Sequence, residues 1–249
     1  MAKNTYWFRD VRPESTAGGF SRYDGAIQFF SRINALLQSD FIVLDLGAGR
    51  GAAHDDKCTY RRSLRILQGK VQKVVGADID EAVSGNPIID EFHILTPGQN
   101  LPFPDASFNL ILCEWVLEHI DDPAHFQSEI ERVLKPGGWF CARTPNKWGL
   151  TALVARLVPN RLHTAFLHIL QPKRQDIDVF PTRYRLNTMR DVAHRFPPQK
   201  WTNASYSWAG EPKYHADNVW LWRVMAVWNW LTPSYMATDL FIFLNRKAL

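Results

Sequence analysis

The stretch Phe41 to Ala52, FIVLDLGAGRGA, constrains the fold more than any other part of the chain. Phe41, Ile42, Val43, Leu44 and Leu46 form a short apolar run that reads as a buried strand. Gly47, Gly49 and Gly51 follow at alternate positions. Without a Cβ, such residues take the left-handed conformations and close approaches that a tight turn demands. Strand, glycine turn and helix open a βαβ unit, and a ligand in such a fold sits beyond the carboxyl end of the strand, against the turn.

Val71 to Asp80, VQKVVGADID, supplies a second anchor, a strand-like run ending at Gly76 with Asp78 just beyond. A carboxylate there accepts hydrogen bonds from vicinal hydroxyls, so a ribose over the glycine turn would have its 2′ and 3′ oxygens in reach. Gly47 and Asp78 are 31 residues apart, against about 20 in a dinucleotide fingerprint. The excess falls in His54 to Lys70, around the first crossover helix. His54, Asp55 and Asp56 are neighbours whose side chains diverge on a strand or helix, so no metal site is expected. Nothing matches a phosphate-cradling GxxxxGK[ST] loop, so ATP-dependent phosphoryl transfer has no support. The ribose logic fits either a nicotinamide dinucleotide or a sulfonium nucleoside.

A chain of 249 residues, 46% hydrophobic and 22% charged, suits one globular domain. Its expected parts are an amino-terminal arm and helix (1–40), a cofactor-binding core (41–146), substrate or cap elements interleaved with late core elements (147–238), and a last strand and terminus (239–249). The formal charge of +4 is a mild excess without a long basic block, so nucleic acid binding is not indicated. Arg61, Arg62 and Arg65 are the densest basic cluster, which a solvated helix face explains as well as an anionic partner does. Cys58, Cys113 and Cys141 form neither a disulfide framework nor a zinc pattern. The amino terminus lacks an apolar signal segment, and a cytoplasmic location is expected.

Along the chain, Met1 to Ser21 reads as an irregular arm and Arg22 to Leu37 as a helix with apolar residues at helical spacing. A helix over Tyr60 to Leu67 and a strand over Glu91 to Thr96 follow, then a turn-rich wall from Pro97 to Asp105. FNLILC, Phe108 to Cys113, has the unbroken apolar character of a strand covered by helices on both faces. It delivers Glu114, Trp115 and His119 to the edge that holds Gly47 and Asp78. Asp122 and Pro123 open a helix as cap and first-turn residue. Lys135 to Gly138 stops that helix before a fifth strand, Trp139 to Thr144. Apolar helical segments are expected over 150–158 and 162–170, a helix over 188–196, and strands around 201–208 and 239–245. Val219 to Leu231, VWLWRVMAVWNWL, has only Arg223 and Asn229 as strongly polar residues. It is shorter than the roughly 20 residues that cross a bilayer. It reads as a buried cap helix over an apolar substrate, or as an interfacial helix giving a peripheral membrane or subunit contact.

Four segments carry a resemblance: DLGAGRG (45–51), VVGADID (74–80), LPFPDASFNLILCEWVLEHIDDP (101–123) and IERVLKPGGWFCARTPN (130–146). Together they resemble the class I S-adenosylmethionine-dependent methyltransferases, in particular the broad group that includes the ubiquinone and menaquinone biosynthesis enzymes. The resemblance implies an α/β, Rossmann-like, seven-stranded and mostly parallel sheet flanked by helices, with its last strand antiparallel and helical insertions toward the C-terminus. It implies S-adenosylmethionine as cofactor. Asp45 and the backbone of Gly47 and Gly49 would serve the methionyl end, Asp78 the ribose, and Ile79 the adenine. Main-chain groups near Cys113 and Glu114 would meet the methionine amino group. Many relatives have an acidic residue near the position of Pro97, and proline cannot accept from the adenine amino group as a carboxylate does; Gln99 or a neighbouring carbonyl would substitute.

The reaction implied is methyl transfer by direct displacement to a small lipophilic or aromatic acceptor, at oxygen, in small-molecule biosynthesis. His119 is the candidate general base, against a plain capping or packing role in its turn. Two other readings stand beside this one, a non-catalytic partner or regulatory subunit that keeps the fold, and an NAD-dependent oxidoreductase, for which no pyrophosphate-plus-nicotinamide arrangement is evident.

Overall fold

Each of the expected apolar runs of the core becomes a strand. In the computed structural model, which describes residues 6–150, 152–153, 181–212, 215 and 217–248, the strands are β1 (Ile42–Leu46), β2 (Lys73–Asp78), β3 (Glu91–Ile94), β4 (Phe108–Glu114), β5 (Leu134–Pro145), β6 (Trp201–Asn203), β7 (Tyr206–Trp208) and β8 (Asp239–Arg246). The helices are α1 (Tyr6–Val11), α2 (Gly25–Leu36), α3 (Thr59–Arg65), α4 (Pro123–Val133), α5 (Met189–Arg195) and α6 (Val219–Leu231). The segments expected over 154–158 and 162–170 lie outside the described residues.

The strand order is β3-β2-β1-β4-β5-β8-β6, and β7 pairs with β8 beyond β6. β6 pairs with the end of β8 and β7 with its start, so the two share one position in a seven-position sheet. Strands β1 to β5 pair in parallel, while β8 runs antiparallel to β5. The expected mostly parallel sheet with an antiparallel last strand is therefore present. The single strand expected over 201–208 is interrupted because Asn203 Oδ1 accepts from Ser205 N at 2.9 Å, turning the chain between β6 and β7.

Successive residues of each strand point to opposite faces, and the burial follows that period. Leu44, Ile111, Phe140 and Ile242 join one buried layer with Ile130, Val192 and Phe196 from the helices. Val43, Leu110, Cys141 and Phe241 join the other, packed on Phe29, Phe30 and Ile33 of α2. The main helices start at side-chain caps that satisfy their first amides. Asp24 Oδ1 accepts from Ala26 N and Ile27 N at 3.0 and 3.1 Å. Asp122 Oδ1 does the same for Ala124 N and His125 N, with Pro123 at the first turn.

Two expectations need correction. The arm Met1 to Ser21 is not irregular throughout: it holds α1 and a 3-10 turn at Pro13–Thr16. Trp7 anchors α1 edge-on against Trp222 and His215, with ring centroids 6.0 and 5.3 Å apart. The segment from Val219 to Leu231 is a helix, as expected, but it is not buried; Trp222 is its one buried residue. No helix among the described residues is long and apolar enough to cross a membrane.

Candidate active site

Strand order reverses on either side of β1, and ligands of open α/β sheets bind in the crevice at such a switch point. The glycine turn after β1 lines that crevice. Gly47 has φ +83° and a Cβ there would stand 2.1 Å from Val116 Cγ2, so this position must be glycine for the segment after β4 to close on the turn. Gly49 has φ +50°, and a Cβ there would meet nothing nearer than Asp78 Oδ2 at 4.0 Å. The first glycine is therefore filled by the protein, and the second faces open space. Asn86 holds the turn from below, donating from Nδ2 to Ala48 O and Gly49 O at 3.0 and 3.1 Å. The sequence reading missed this residue, which no local pattern marks.

Asp78 ends β2 as expected, and backbone amides orient its carboxylate. Oδ2 accepts from Gly49 N at 2.8 Å and Oδ1 from Asp80 N at 2.9 Å. Each oxygen keeps a second lone pair for a hydroxyl. Ile79 beside it is 45% exposed, an apolar surface at the crevice. Gln99 and Pro97 are exposed, and the Gln99 carbonyl lies 3.4 Å from His125 Nε2. Cys113 is fully buried and burial, the largest cause, raises its thiol pKa, so only its main chain can serve a ligand.

The carboxylate of Glu114 is gripped from both sides. Arg65 Nη2 approaches it at 3.3 Å and Arg143 Nη1 at 3.2 Å. Arg143 also meets Asp239 at 3.3 Å and lies over the Trp115 ring, 4.6 Å from its centroid. On the other side Arg61 donates to both Asp56 oxygens at 2.6 and 2.7 Å and to Asp24 at 2.6 Å. Asp24, Arg61, Asp56, Arg65, Glu114, Arg143 and Asp239 thus form an alternating line of charge across α2, α3, β4, β5 and β8. Arg61 and Arg65, for which a solvated helix face and an anionic partner stood equal, turn to carboxylates of the chain itself, Asp24, Asp56 and Glu114. Arg65 Nε and Arg143 Nε are buried and have no hydrogen-bond partner among the described residues.

Asp45 stands near this line at the end of β1. Its surface is only partly covered, yet protein encloses its carboxyl, and that enclosure followed by the Glu114 charge raises its pKa to about 7 against the opposing pull of Arg65. The arginines of the line are outnumbered by its carboxylates, so the edge is suited to a cationic ligand.

His119 ends a short 3-10 turn, Leu117–His119, and its Nδ1 donates to Pro181 O at 3.0 Å. The structure also brings forward Glu118 and Asn187, which the sequence reading passed over. Glu118 is buried with its Oε2 accepting from Thr144 Oγ1 at 2.9 Å, and burial raises its pKa. Asn187 Nδ2 donates to the same Thr144 oxygen at 2.6 Å. Trp115 adopts φ +61°, a strained state for a bulky side chain. Arg143 had a visible signal, being a lone charge inside the apolar run of β5, whereas Glu118 had none.

A family model described as a methyltransferase domain matches residues 44–142. A protein of Mycolicibacterium smegmatis, named a probable S-adenosylmethionine-dependent methyltransferase, is 35% identical over 132 residues, covering 51% of this chain and 46% of its own length. A ubiquinone biosynthesis O-methyltransferase of Paraburkholderia phymatum is 28% identical over 130 residues, 49% of this chain and 55% of that one. The chain spans about half the length of the curated relatives it matches. Among solved structures, an S-adenosylmethionine-dependent methyltransferase from Mesorhizobium loti superposes with a TM-score of 0.53 at 14% identity, over 90% of this chain and 99% of that one. Sheet order, glycine turn and sequence matches agree: the chain has the class I S-adenosylmethionine-dependent methyltransferase fold and is related, at modest identity, to the ubiquinone and menaquinone methyltransferases.

Proposed function

We propose that the chain is an S-adenosylmethionine-dependent methyltransferase acting by direct displacement on a small lipophilic or aromatic acceptor, at oxygen. The observation that carries the reading is the space over Gly49, bounded by an Asp78 carboxylate already oriented by two backbone amides. That cradle fits a ribose, since each oxygen of Asp78 can still accept from a hydroxyl. The unpartnered Nε atoms of Arg65 and Arg143 are donors beside Glu114. When bound, S-adenosylmethionine supplies an electrophilic methyl carbon on its sulfonium.

The chain's residues then bind, orient and exclude water. Asp78 holds the ribose hydroxyls and Ile79 packs on the adenine, with Gln99 or its backbone at the adenine amino group. Asp45, the backbone of Gly47 and Gly49, and the main chain at Cys113 and Glu114 hold the methionyl end. His119 takes the acceptor hydroxyl proton: with Nδ1–H donated to Pro181 O, the neutral ring's basic nitrogen is Nε2. The lipophilic acceptor is supported by relatives named for ubiquinone O-methylation and for demethylmenaquinone methylation.

Titration calorimetry with S-adenosylmethionine and with its demethylated product is the test of the cofactor. Both should bind, NADH should not, and Asp78→Ala should weaken both by tenfold or more, in line with loss of about 1.4 kcal/mol or more. No binding of either compound would remove the foundation of the reading. Transfer of labelled methyl to hydroxylated quinone-like aromatics, equal for the native and Asp78→Ala proteins, would count against Asp78 as the ribose contact.

A further inference from the structure

α6 is built with its polarity reversed. Trp220, Leu221, Val224, Val227, Trp228, Trp230 and Leu231 are exposed, Trp220, Trp230 and Leu231 by 69%, 81% and 67%. The polar Asn229 instead points inward, its Nδ2 donating to Gly210 O at 3.2 Å. Trp222, the buried residue, packs on Trp7 and under the Arg12 guanidinium, 4.7 Å from its ring. The helix is thus firmly seated and presents an apolar face outward, where soluble helices carry charge. Contiguous apolar surface of this kind marks an interaction site.

We propose that this face is a membrane-docking surface, lying flat in the headgroup region of a lipid bilayer. Directional protein interfaces use a polar rim and about ten hydrogen bonds. Here Arg223 is the one charged side chain on the helix, and Asn218 to Thr238 contains no acidic residue. A lipid interface asks for what is present: tryptophan at the boundary of tails and headgroups, and a cation beside it. Arg223 lies 4.9 Å from the Trp220 ring centroid, so the indole and the guanidinium reach the same depth.

The position of the face gives it a purpose. At about 1.5 Å per residue the helix is roughly 20 Å long and lies along a surface without spanning it. Its C-terminal continuation is tied to the carboxyl end of β5, where Asn146 Nδ2 donates to Tyr235 O and Ala237 O at 2.8 Å each. Tyr235, 65% exposed, and Trp148, 46% exposed, line one cleft with Met189 and Leu240 at that edge. A bilayer touching α6 would therefore meet the sheet edge that bears the candidate active site. The proposal stands on the face alone and does not depend on which cofactor or acceptor the site takes.

Flotation with vesicles tests it, using phosphatidylcholine alone and phosphatidylcholine mixed with phosphatidylglycerol. The native protein should float with both and more strongly with the anionic mixture, and its tryptophan emission should shift to the blue. Trp230→Ser combined with Leu231→Ser should lower partition about tenfold or more, with circular dichroism and thermal unfolding unchanged. Phe92→Ser, at an exposed aromatic on β3, should leave partition unchanged. Should the double variant fold poorly, Arg223→Glu replaces it and should weaken binding to the anionic vesicles more than to the neutral ones. Absence of flotation, or flotation indifferent to these variants, overturns the proposal. So does self-association without lipid that the same variants abolish, which would assign the face to a second copy of the chain.

Discussion

Asp78 ends β2 and Glu114 ends β4, one on each side of β1, yet their carboxylates are held by different means. Asp78 is oriented by the amides of Gly49 and Asp80, groups whose positions the turn itself dictates. Glu114 is oriented by the guanidinium groups of two long side chains, Arg65 and Arg143. The β1–β2 side therefore holds its carboxylate through backbone amides. The β4–β5–β8 side is rigid through mutual compensation of charges, and each member depends on its neighbours. A substitution on the first side should act locally; one on the second should propagate.

The largest expected effect follows from that dependence. Arg143, only 6% exposed at its side chain, stands between Glu114 and Asp239. Arg143→Met removes the cation and leaves two carboxylates facing each other in a buried setting, a loss of about 3–5 kcal/mol. Urea unfolding measures it. Combining Arg143→Met with Glu114→Gln should recover part of the loss, since the repulsion between the two carboxylates is then removed. A single-variant loss under about 1 kcal/mol would mean that the line of charge is ornamental to stability, and the contrast between the two sides would fail.

Asp45 sits between the two regions and titrates accordingly. The native protein holds its proton up to a pH of about 7, whereas the ordinary carboxyl value is 3.8. Because the folded pKa is raised, this group favours the fold below about pH 4 and that advantage is lost as pH rises through 7, by about 4 kcal/mol in all. Asp45→Asn keeps a neutral group at every pH and escapes the loss. Its stability relative to the native protein should therefore grow by up to about 4 kcal/mol between pH 4 and pH 8, measured by denaturant unfolding at each pH. A difference independent of pH would show that the Asp45 carboxyl is ionised throughout and belongs with the solvated groups.

The same division explains what the sequence made legible. Strands β1, β2, β4 and β5, the turn at Gly47 to Gly51 and the place of Asp78 follow from short-range rules: apolar runs, glycine, an acid just past a strand. The helix start at Asp122 is equally local. Arg61 and Arg65 were legible only as a basic cluster, because their partners Asp24, Asp56 and Glu114 come together through the sheet and not through spacing. Glu118 gave no signal, its burial being created by Thr144 and Asn187 from elsewhere in the chain. The apolar character of α6 was plain, but composition cannot distinguish a helix that turns such residues inward from one that turns them outward.

The smallest effects test whether the glycine turn is as local as the contrast requires. Gly47→Ala adds a Cβ at φ +83° that would stand 2.1 Å from Val116 Cγ2, so strain and overpacking both apply, about 2–4 kcal/mol together. Gly49→Ala meets no atom closer than 4.0 Å, and only its φ of +50° is unfavourable, about 1 kcal/mol. Thermal unfolding should rank the two in that order, while ligand titration should rank them differently. Gly49→Ala places its methyl in the space assigned to the cofactor and should lose affinity out of proportion to stability. Gly47→Ala should lose affinity mainly as far as the turn and the Val116 segment are displaced. If Gly49→Ala binds S-adenosylmethionine as the native protein does, the open space over Gly49 is not the cofactor's seat. If it unfolds as readily as Gly47→Ala, a Cβ at Gly49 costs more than its backbone angle alone implies, and the two sides of β1 are less different than their carboxylates suggest.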